Sequence, residues 1–426
     1  MSTVLGVTLP EKWQASRLKH VTELLARGSA PSYVDHGQVR VIGQAANQND
    51  GIAWPRTRFH EYDSDATELK GYLKPDDVLI NSTGTGTLGR IGYFNGSPDG
   101  IPCMADSHVT IARAKTEELH PRFAYYWLTS RPFQEYVYAA LAVGATNQIE
   151  LNRDSLGDAP IPLPPLEEQR CIADFLDVET SRVDTLAVKR GRMKGLLSRK
   201  RNRIIDSDLG FDGRTSVHGL TPLKYLVEEI TVGIVITPAK WYVTNDGVPA
   251  LRGLNVRPSK IGVEDLTYIS EEGHAKHQKS RLRAGDIVVV RTGQAGAAAV
   301  VPDSLDGANC IDLILVRPGN KLSPEYLEYV LNSDYASERV SEHAVGSIQA
   351  HFNVGAMRQL PVPSVTRPQQ DAIVKSLDRK VGSIDQLLQK FKAQEALLSE
   401  RRQALITAAV TGQIDVSTAR GRGIEE

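Results

Sequence analysis

Two stretches, Gln169-Arg170-Cys171-Ile172-Ala173-Asp174-Phe175-Leu176-Asp177 and Gln370-Asp371-Ala372-Ile373-Val374-Lys375-Ser376-Leu377-Asp378, lie 201 residues apart. The same offset, without a gap, pairs Pro160 with Pro361, Pro162 with Pro363 and Val183-Asp184 with Ile384-Asp385. It goes on to pair Leu186 with Leu387, Leu196-Leu197-Ser198 with Leu397-Leu398-Ser399, and Ile205 with Ile406. A register kept over roughly 45 positions is an internal repeat.

Each repeat opens on prolines: Pro160, Pro162, Pro164 and Pro165 in the first, Pro361, Pro363 and Pro368 in the second. No proline follows from Leu166 to Thr221, or after Gln369. Proline is tolerated at the start of a helix and not inside it, so each repeat predicts a long helix. Apolar residues step by four and three through Ile172, Leu176, Val183, Leu186, Met193, Leu197 and Ile204, and through Ile373, Leu377, Ile384, Leu387, Phe391, Leu398 and Leu405. That is a heptad seam, interrupted by Glu179, Arg190, Lys380 and Arg401, and it predicts a coiled coil. About 42 residues at ~1.5 Å each give a rod of roughly 60 Å. The connector from Asp206 to Leu220 spans at most about 50 Å, which is too short to lead back along the rod, so the pair is expected to be antiparallel.

Upstream of each helix the repeat continues more loosely. Leu18-Lys19 matches Leu223-Lys224, Asp77-Val78-Leu79-Ile80 matches Asp286-Ile287-Val288-Val289, Thr83-Gly84 matches Thr292-Gly293, and Leu151-Asn152 matches Phe352-Asn353. Short β-rich runs (Val39 to Ile42, Asp77 to Ile80, Val109 to Ile111; Asp286 to Arg291, Ile311 to Arg317) and proline-led helices near Pro121 and Pro324 predict two mixed α/β units. The fold class expected is α+β: two such units separated by two long helices in an antiparallel coiled coil, with an internal pseudo-two-fold repeat. The boundaries expected are 1–160, 161–210, 211–360 and 361–426.

With 426 residues, 41% of them hydrophobic, the chain has material for two to four domains. No apolar run reaches membrane-spanning length, and Met1 to Pro10 does not read as a signal peptide. Cys103, Cys171 and Cys310 form no C-x-x-C pair, which points to reduced thiols and a cytoplasmic setting. The net charge of -1 is not that of a simple nucleic-acid binder. One run is strongly basic: Lys189, Arg190, Arg192, Lys194, Arg199, Lys200, Arg201 and Arg203, with no acid between them. It suits a phosphate backbone, an acidic partner surface or a solvated helix face.

Two loops follow strands: Thr83-Gly84-Thr85-Gly86-Thr87-Leu88-Gly89-Arg90 and Thr292-Gly293-Gln294-Ala295-Gly296. Glycine allows close backbone approach to phosphate, and it equally serves a tight turn. The Walker lysine is absent, as is an Asn-Pro-Pro-Tyr/Phe methyltransferase loop. His274 and His277 lack zinc-ligand neighbours, and Glu68, Lys70, Asp76 and Asp77 are not in nuclease order. No catalytic or metal-binding residue is expected.

The two proline-led helices, the Leu-Lys start of each unit, the strand-to-Thr-Gly loops and Pro-Leu-Pro-Pro-Leu-Glu-Glu-Gln (162–169) together resemble the specificity subunits of type I restriction-modification systems, over nearly the whole chain. The resemblance implies two target-recognition domains, each reading half of a bipartite double-stranded DNA site. It implies helices that space them and hold two modification (methyltransferase) subunits, with motor-nuclease restriction subunits joining. S-adenosylmethionine would be bound by the methyltransferase partner and no cofactor by this chain. Half-sites read by a two-fold pair lie ~10 base pairs apart centre to centre. Base-edge donors and acceptors expected in the first unit are Arg40, Gln44, Asn47, Gln48, Asn49, Arg56, Arg58, Thr83, Thr85, Arg90, Asn147 and Gln148. In the second they are Arg252, Asn255, Arg257, Lys260, Arg291, Thr292, Gln294, Gln349 and His351. A coiled-coil scaffold without DNA specificity, or the recognition module of a related restriction system, are the alternatives.

Overall fold

The computed structural model describes every residue except 1, 50, 85, 144–148, 214, 245, 345–351 and 417–426. The chain divides into two units, unit 1 comprising 1–189 with 394–426 and unit 2 comprising 190–393.

Unit 1 contains β1 (Gln14–Arg17), β2 (Thr22–Arg27), β3 (Tyr33–Val34), β4 (Val39–Ile42), β5 (Arg58–His60), β6 (Asp77–Asn81), β7 (Ile91–Phe94), β8 (Cys103–Ala105) and β9 (Val109–Ala114). There follow α1 (Pro121–Thr129), α2 (Arg131–Tyr136), α3 (Arg153–Gly157), β10 (Pro160–Leu163) and the start of α4 (Leu166–Asp208). Unit 2 repeats the series as β11 (Leu220–Pro222), β12 (Glu229–Val232), β13 (Tyr242–Val243), β14 (Val248–Leu251), β15 (Thr267–Ile269), β16 (Ile287–Val290), β17 (Ala298–Val300), β18 (Asn309–Cys310) and β19 (Leu313–Arg317). It continues with α5 (Pro324–Leu331), α6 (Asp334–Ala344), α7 (Val354–Gln359), β20 (Pro361–Pro363) and the start of α8 (Arg367–Val410).

The sheets repeat strand for strand. An antiparallel sheet has order β7-β6-β9-β2 in unit 1 and β17-β16-β19-β12 in unit 2. A smaller sheet has order β8-β4-β5-β3 and, correspondingly, β18-β14-β15-β13, with β4–β8 and β14–β18 the parallel pairs. β1 pairs with β10 as β11 pairs with β20.

The central strands β6 and β16 are buried at every position, because both faces of the larger sheet are covered. On one face Val78 and Ile80 pack with Phe123 and Trp127 of α1, and Ile287 and Val289 with Tyr326 and Leu327 of α5. On the other, Leu79 joins Ile42 and Ala105, and Val288 joins Leu251 and Cys310. A glutamine near each long helix's start fixes it to its unit. The buried Gln169 accepts from His120 N (2.8 Å) and donates to Glu118 O and Pro164 O (3.0 and 2.9 Å). Gln370 does the same with Ser323 N, Lys321 O and Val365 O (2.7, 2.8 and 2.9 Å). A buried amide with all these bonds made explains why this letter survives in both repeats.

The long helices run antiparallel within each unit. In unit 2, Asp208 meets Ser376 and Lys380 (2.8 and 2.7 Å), while Arg201 meets Asp385 (2.6 Å). In unit 1, Arg402 meets Asp184 (3.2 Å), and Ile172 and Leu176 share a core with Ile406, Ala409 and Val410.

The packing stripe departs from the heptad assignment. Ile172, Leu176, Val183, Leu377, Ile384 and Leu398 are buried, and Leu197, Ile204, Ile373 and Leu405 are half-buried. Leu186 and Leu387, however, are 45% and 44% exposed, and the buried positions further on are Ile205 and Ile406. The buried and half-buried stripe runs Ile172, Leu176, Thr180, Val183, Ala187, Arg190, Lys194, Ser198, Arg201, Ile205. In α8 it runs Leu377, Val381, Ile384, Leu388, Phe391, Glu395, Leu398, Arg402, Ile406. In α4 these steps recur at eleven residues, whereas α8 keeps the heptad from Leu377 to Arg402 with Leu388 in the place expected for Leu387. A straight helix with 3.6 residues per turn drifts about 20° per heptad, which accounts for the eleven-residue spacing in α4.

Candidate nucleic-acid interface

The turn after each central strand closes on a glycine. Gly89 (φ +74°) donates its N–H to Asn81 O at 2.9 Å, and Gly296 (φ +90°) donates to Val290 O at 2.9 Å. A Cβ at Gly89 would sit 2.8 Å from Val137 Cγ1, and one at Gly296 3.1 Å from Val340 Cγ2, so both turns lean on the helix beside them. Residues 82–88 lie between the closing pair in unit 1, and only 291–295 in unit 2.

In unit 1 the turn rests on polar side chains. Gln44 Oε1 accepts from Thr83 Oγ1 (3.4 Å) and Thr87 Oγ1 (3.3 Å), and Thr83 Oγ1 meets His108 Nδ1 at 2.8 Å. Asn81 donates to Gln44 O (3.1 Å), and Asn47 donates to Asn81 Oδ1 (2.9 Å). Arg90 donates to Gln48 Oε1 (2.9 Å). Close by, Asp106 accepts the His108 N–H at 2.8 Å, and burial raises its carboxyl above the usual carboxylate range. Between this turn and the neighbouring helices lies a cleft of about 260 Å³, lined by Asn49, Thr87, Arg90, Gln134, Tyr138 and Arg402 among others. Unit 2 has a cleft of about 190 Å³ in the same place, lined by Pro258, Gln294, Gly296, Asn332 and Ser337 among others.

The candidate residues divide into three groups. Some are committed to the fold. Asn47 and Asn255 are buried, and Asn255 caps Arg252 N (2.9 Å) and donates to Asp265 O (3.2 Å). Arg40 is paired with Asp99, bonds Thr57 Oγ1 (2.8 Å) and lies over the Phe59 ring, while Arg291 pairs with Asp312 at 2.5 Å. Others border the turns or stand in solvent. Gln44, Gln48, Thr83 and Arg90 hold the first turn, and Asn49, Arg56, Arg58, Lys260, Thr292 and Gln294 are exposed. Arg252 is half-buried, and Arg257 donates to Leu254 O and Val256 O (3.0 and 3.1 Å). Thr85, Asn147, Gln148, Gln349 and His351 lie outside the described residues.

Two tyrosines escaped the sequence reading. Tyr33 on β3 is 41% exposed, with the Arg58 guanidinium 3.4 Å above its ring, and Tyr242 on the equivalent β13 is 40% exposed. Aligning the edge strands of the two halves would have found them. Of the basic run, Arg192, Arg199, Lys200 and Arg203 are exposed, and Arg201 is held by Asp385. Among the described residues no His, Cys, Asp and Glu group could hold a metal, and no helix is long and apolar enough to cross a membrane.

Residues 10–189 match the model of the type I restriction modification DNA specificity domain. The chain is 21% identical to the type I restriction enzyme EcoBI specificity subunit of Escherichia coli, over 88% of this chain and 85% of that one. It is 23% identical to the type I restriction enzyme MjaVIII specificity subunit of Methanocaldococcus jannaschii, over 60% of this chain and 62% of that one. A solved chain from a study of complex assembly and conformational transition of the type I R-M system has the same fold, with TM-score 0.66 at 19% identity, covering 96% of this chain and all of that one.

Proposed function

Because the chain belongs to the family of type I restriction-modification specificity subunits, we propose that it reads a bipartite double-stranded DNA site, one half with each unit. Recognition domains at 1–160 and 211–360 supply the two readers, and helical regions at 161–210 and 361–426 supply the frame. The helices dock two methyltransferase subunits, which bind S-adenosylmethionine, and the motor-nuclease subunits join that assembly. The chain itself contributes selection and no chemistry, and it works in the cytoplasm.

One observation carries this reading: ten strands repeat in the same order in both units, while the turns at the ends of the equivalent strands β6 and β16 differ in length and lining. A kept frame with altered tips is what two readers of different sequences require. The base-edge candidates are therefore the exposed and turn-bordering residues: Gln44, Gln48, Asn49, Arg56, Arg58, Thr83 and Arg90 in unit 1, with Arg257, Lys260, Thr292 and Gln294 in unit 2. The near-neutral net charge is offset in the complex by basic partner surfaces, and the exposed Lys189, Arg192, Arg199, Lys200 and Arg203 concentrate positive charge locally.

The test is an exchange. Replacing the segment from about Leu18 to Asp158 with that of a relative should change one half of the methylated motif and leave the other half and the spacing intact, read by methylation mapping of the host genome. Distant sites contribute independently to binding free energy, which is why one half should survive. A swap that altered both halves would end the two-reader assignment. Inserting helical turns near Ser181 should change the spacing alone.

A further inference from the structure

The segment from His274 to Gly285 carries Lys276, Lys279, Arg281 and Arg283 and no acid. It lies along a cleft of about 590 Å³ in unit 2, lined by His274, Gln278, Arg281, Arg283, Arg317 and Asp306, with Ala275 and Leu282 completing the wall. Residues 281–283 are extended against the strand end, with Arg281 bridged to Asn309 and Leu282 N donating to Ala308 O at 2.8 Å. Side chains alternate along extended backbone. Leu282 is therefore fully buried on one side, while Arg281 and Arg283 are exposed together on the other. Neither guanidinium has an ion-pair partner among the described residues. Arg317 at the cleft floor is 8% exposed, held by Glu229 and donating to Arg281 O (2.9 Å), with its Nε 3.6 Å from the buried Asp286 carboxylate. The one acid on the wall, Asp306, already accepts the Ala284 N–H at 3.0 Å.

The equivalent stretch of unit 1 carries different residues. Tyr72 occupies the place of Arg281, bridged to Met104 and accepting from Arg113 just as Arg281 O accepts from Arg317. Lys74 occupies the place of Arg283. The stretch leading to Tyr72 carries Asp63, Asp65 and Glu68. The cleft also lies at the opposite end of β16 from the Thr292 turn, roughly 17 Å away along the strand.

We propose that this cleft is a phosphate-binding site peculiar to unit 2, in which Arg281 and Arg283 grip adjacent phosphate oxygens while Arg317 and His274 form the floor. Paired guanidinium forks match phosphate geometry, and two of them suit a phosphodiester run or a free oligophosphate. The DNA-backbone source rests on the function proposed above; the free-oligophosphate source does not.

Inorganic pyrophosphate and a 30-base-pair duplex lacking the target motif are titrated against the full chain, the variant R281Q/R283Q, the charge-retaining R281K/R283K and the unit 1 control K70Q/K74Q. Pyrophosphate should raise the Tm of wild type and of K70Q/K74Q, weakly that of R281K/R283K, and not that of R281Q/R283Q. Unchanged pyrophosphate affinity in R281Q/R283Q, or no saturable binding to wild type at millimolar concentration, would overturn the site. If the duplex is the source, the slope of log K against log salt falls by about 2 in R281Q/R283Q, one phosphate for each lost cation. Loss of pyrophosphate binding with an unchanged duplex slope assigns the site to free oligophosphate. In cells, R281Q/R283Q should leave both halves of the methylated motif as they were, so failure here and failure of the two-reader assignment are separately visible.

Discussion

Beneath the turn of unit 1, Asn47 and Asn81 meet through their amides at 2.9 Å; in unit 2 the same two positions are Val256 and Val290, packed in an apolar cluster. The equivalence is exact in register, since Asn47 pairs with Ile52 as Val256 pairs with Ile261. The polar floor continues upward into Gln44, Thr83, Thr87 and Arg90, and a turn with seven residues between its closing pair sits on it. The apolar floor ends at the strand, and its turn has five. In unit 1 the Asn47 amide nitrogen is bonded to Asn81 Oδ1, while its own Oδ1 is buried without a hydrogen-bond partner among the described residues. The lesson is that the frame sets where a turn emerges, and the residues just beneath it set how much turn can be held.

The largest effect should separate the two units at the start of their central strands. Asp77 is fully buried and receives Arg113 at 2.7 Å, with Glu23 more distant at 3.8 Å. Asp286 receives Arg317 at 3.6 Å, but that arginine also holds Glu229 directly. Asp77→Ala should cost about 3–5 kcal/mol, because it leaves the half-buried Arg113 guanidinium with only Tyr72 O and the distant Glu23. Asp286→Ala should cost less, about 1–3 kcal/mol, because Arg317 keeps a carboxylate. Urea unfolding followed at each unit's own transition measures both, and equal losses would contradict this account of the second carboxylate.

Next comes the floor itself. Asn81→Val should destabilise by about 1–3 kcal/mol, since the buried Asn47 amide loses its shortest bond and keeps only the long contacts to Leu79 O and Arg90 O (3.3 and 3.5 Å). Asn47→Val combined with Asn81→Val copies unit 2 and should cost less than the two single changes added together. A double-mutant cycle with simple additivity would mean that the amide pair is not a unit.

A smaller, pH-dependent difference lies where α6 meets α4. Asp206 occupies the position that Thr407 holds in unit 1, where the Thr407 hydroxyl accepts the Arg131 N–H at 3.3 Å. Burial first, then the carboxylate of Asp334, pushes the Asp206 carboxyl up to about 6. The folded state therefore holds this proton more tightly than the unfolded chain does. The associated stability is complete below about pH 4 and is lost as pH rises through 6. Asp206→Thr should remove that loss, so its stability relative to wild type should rise by about 1–2 kcal/mol between pH 4 and pH 7, the full shift being reduced by solvent screening of this half-buried group. Thermal melts across that range would show a flatter profile in the variant, and parallel profiles would rule this out.

The smallest effect concerns the helices. Leu186→Gln and Leu387→Gln should each change stability by no more than about 0.5 kcal/mol, because both side chains stand in solvent. A loss of several kcal/mol in urea unfolding would restore them to a seam.

Much of the architecture could be read from the order of residues. The 201-residue offset marks both long helices because Gln169 and Gln370, Leu176 and Leu377, and Asp184 and Asp385 make the same contacts twice. The assignment was misleading at Leu387 because the adjacent Leu388 is an identical residue and is the one turned inward, and at Leu186 because the inward neighbour is the small Ala187. The interface was less legible. Asn47, Asn255, Arg40 and Arg291 have the composition of a reading surface, yet they are spent on amide bonds and ion pairs inside the fold. Placing Asn47 opposite Val256 would have exposed its inward direction, since a position that is valine in one half faces a core.

The cores of the two units are also completed at different times during synthesis. Unit 2 is one uninterrupted stretch, 190–393. Unit 1 needs Ile406, Ala409, Val410 and Val416 for its core, so its opening 189 residues leave the ribosome without the side chains that close it. The last residue of unit 2 is thus made before the core of unit 1 is complete, against the usual N-terminal-first order. A chain ended at residue 393 has every residue of the second unit and lacks the four side chains that cover α1 and the start of α4 in the first.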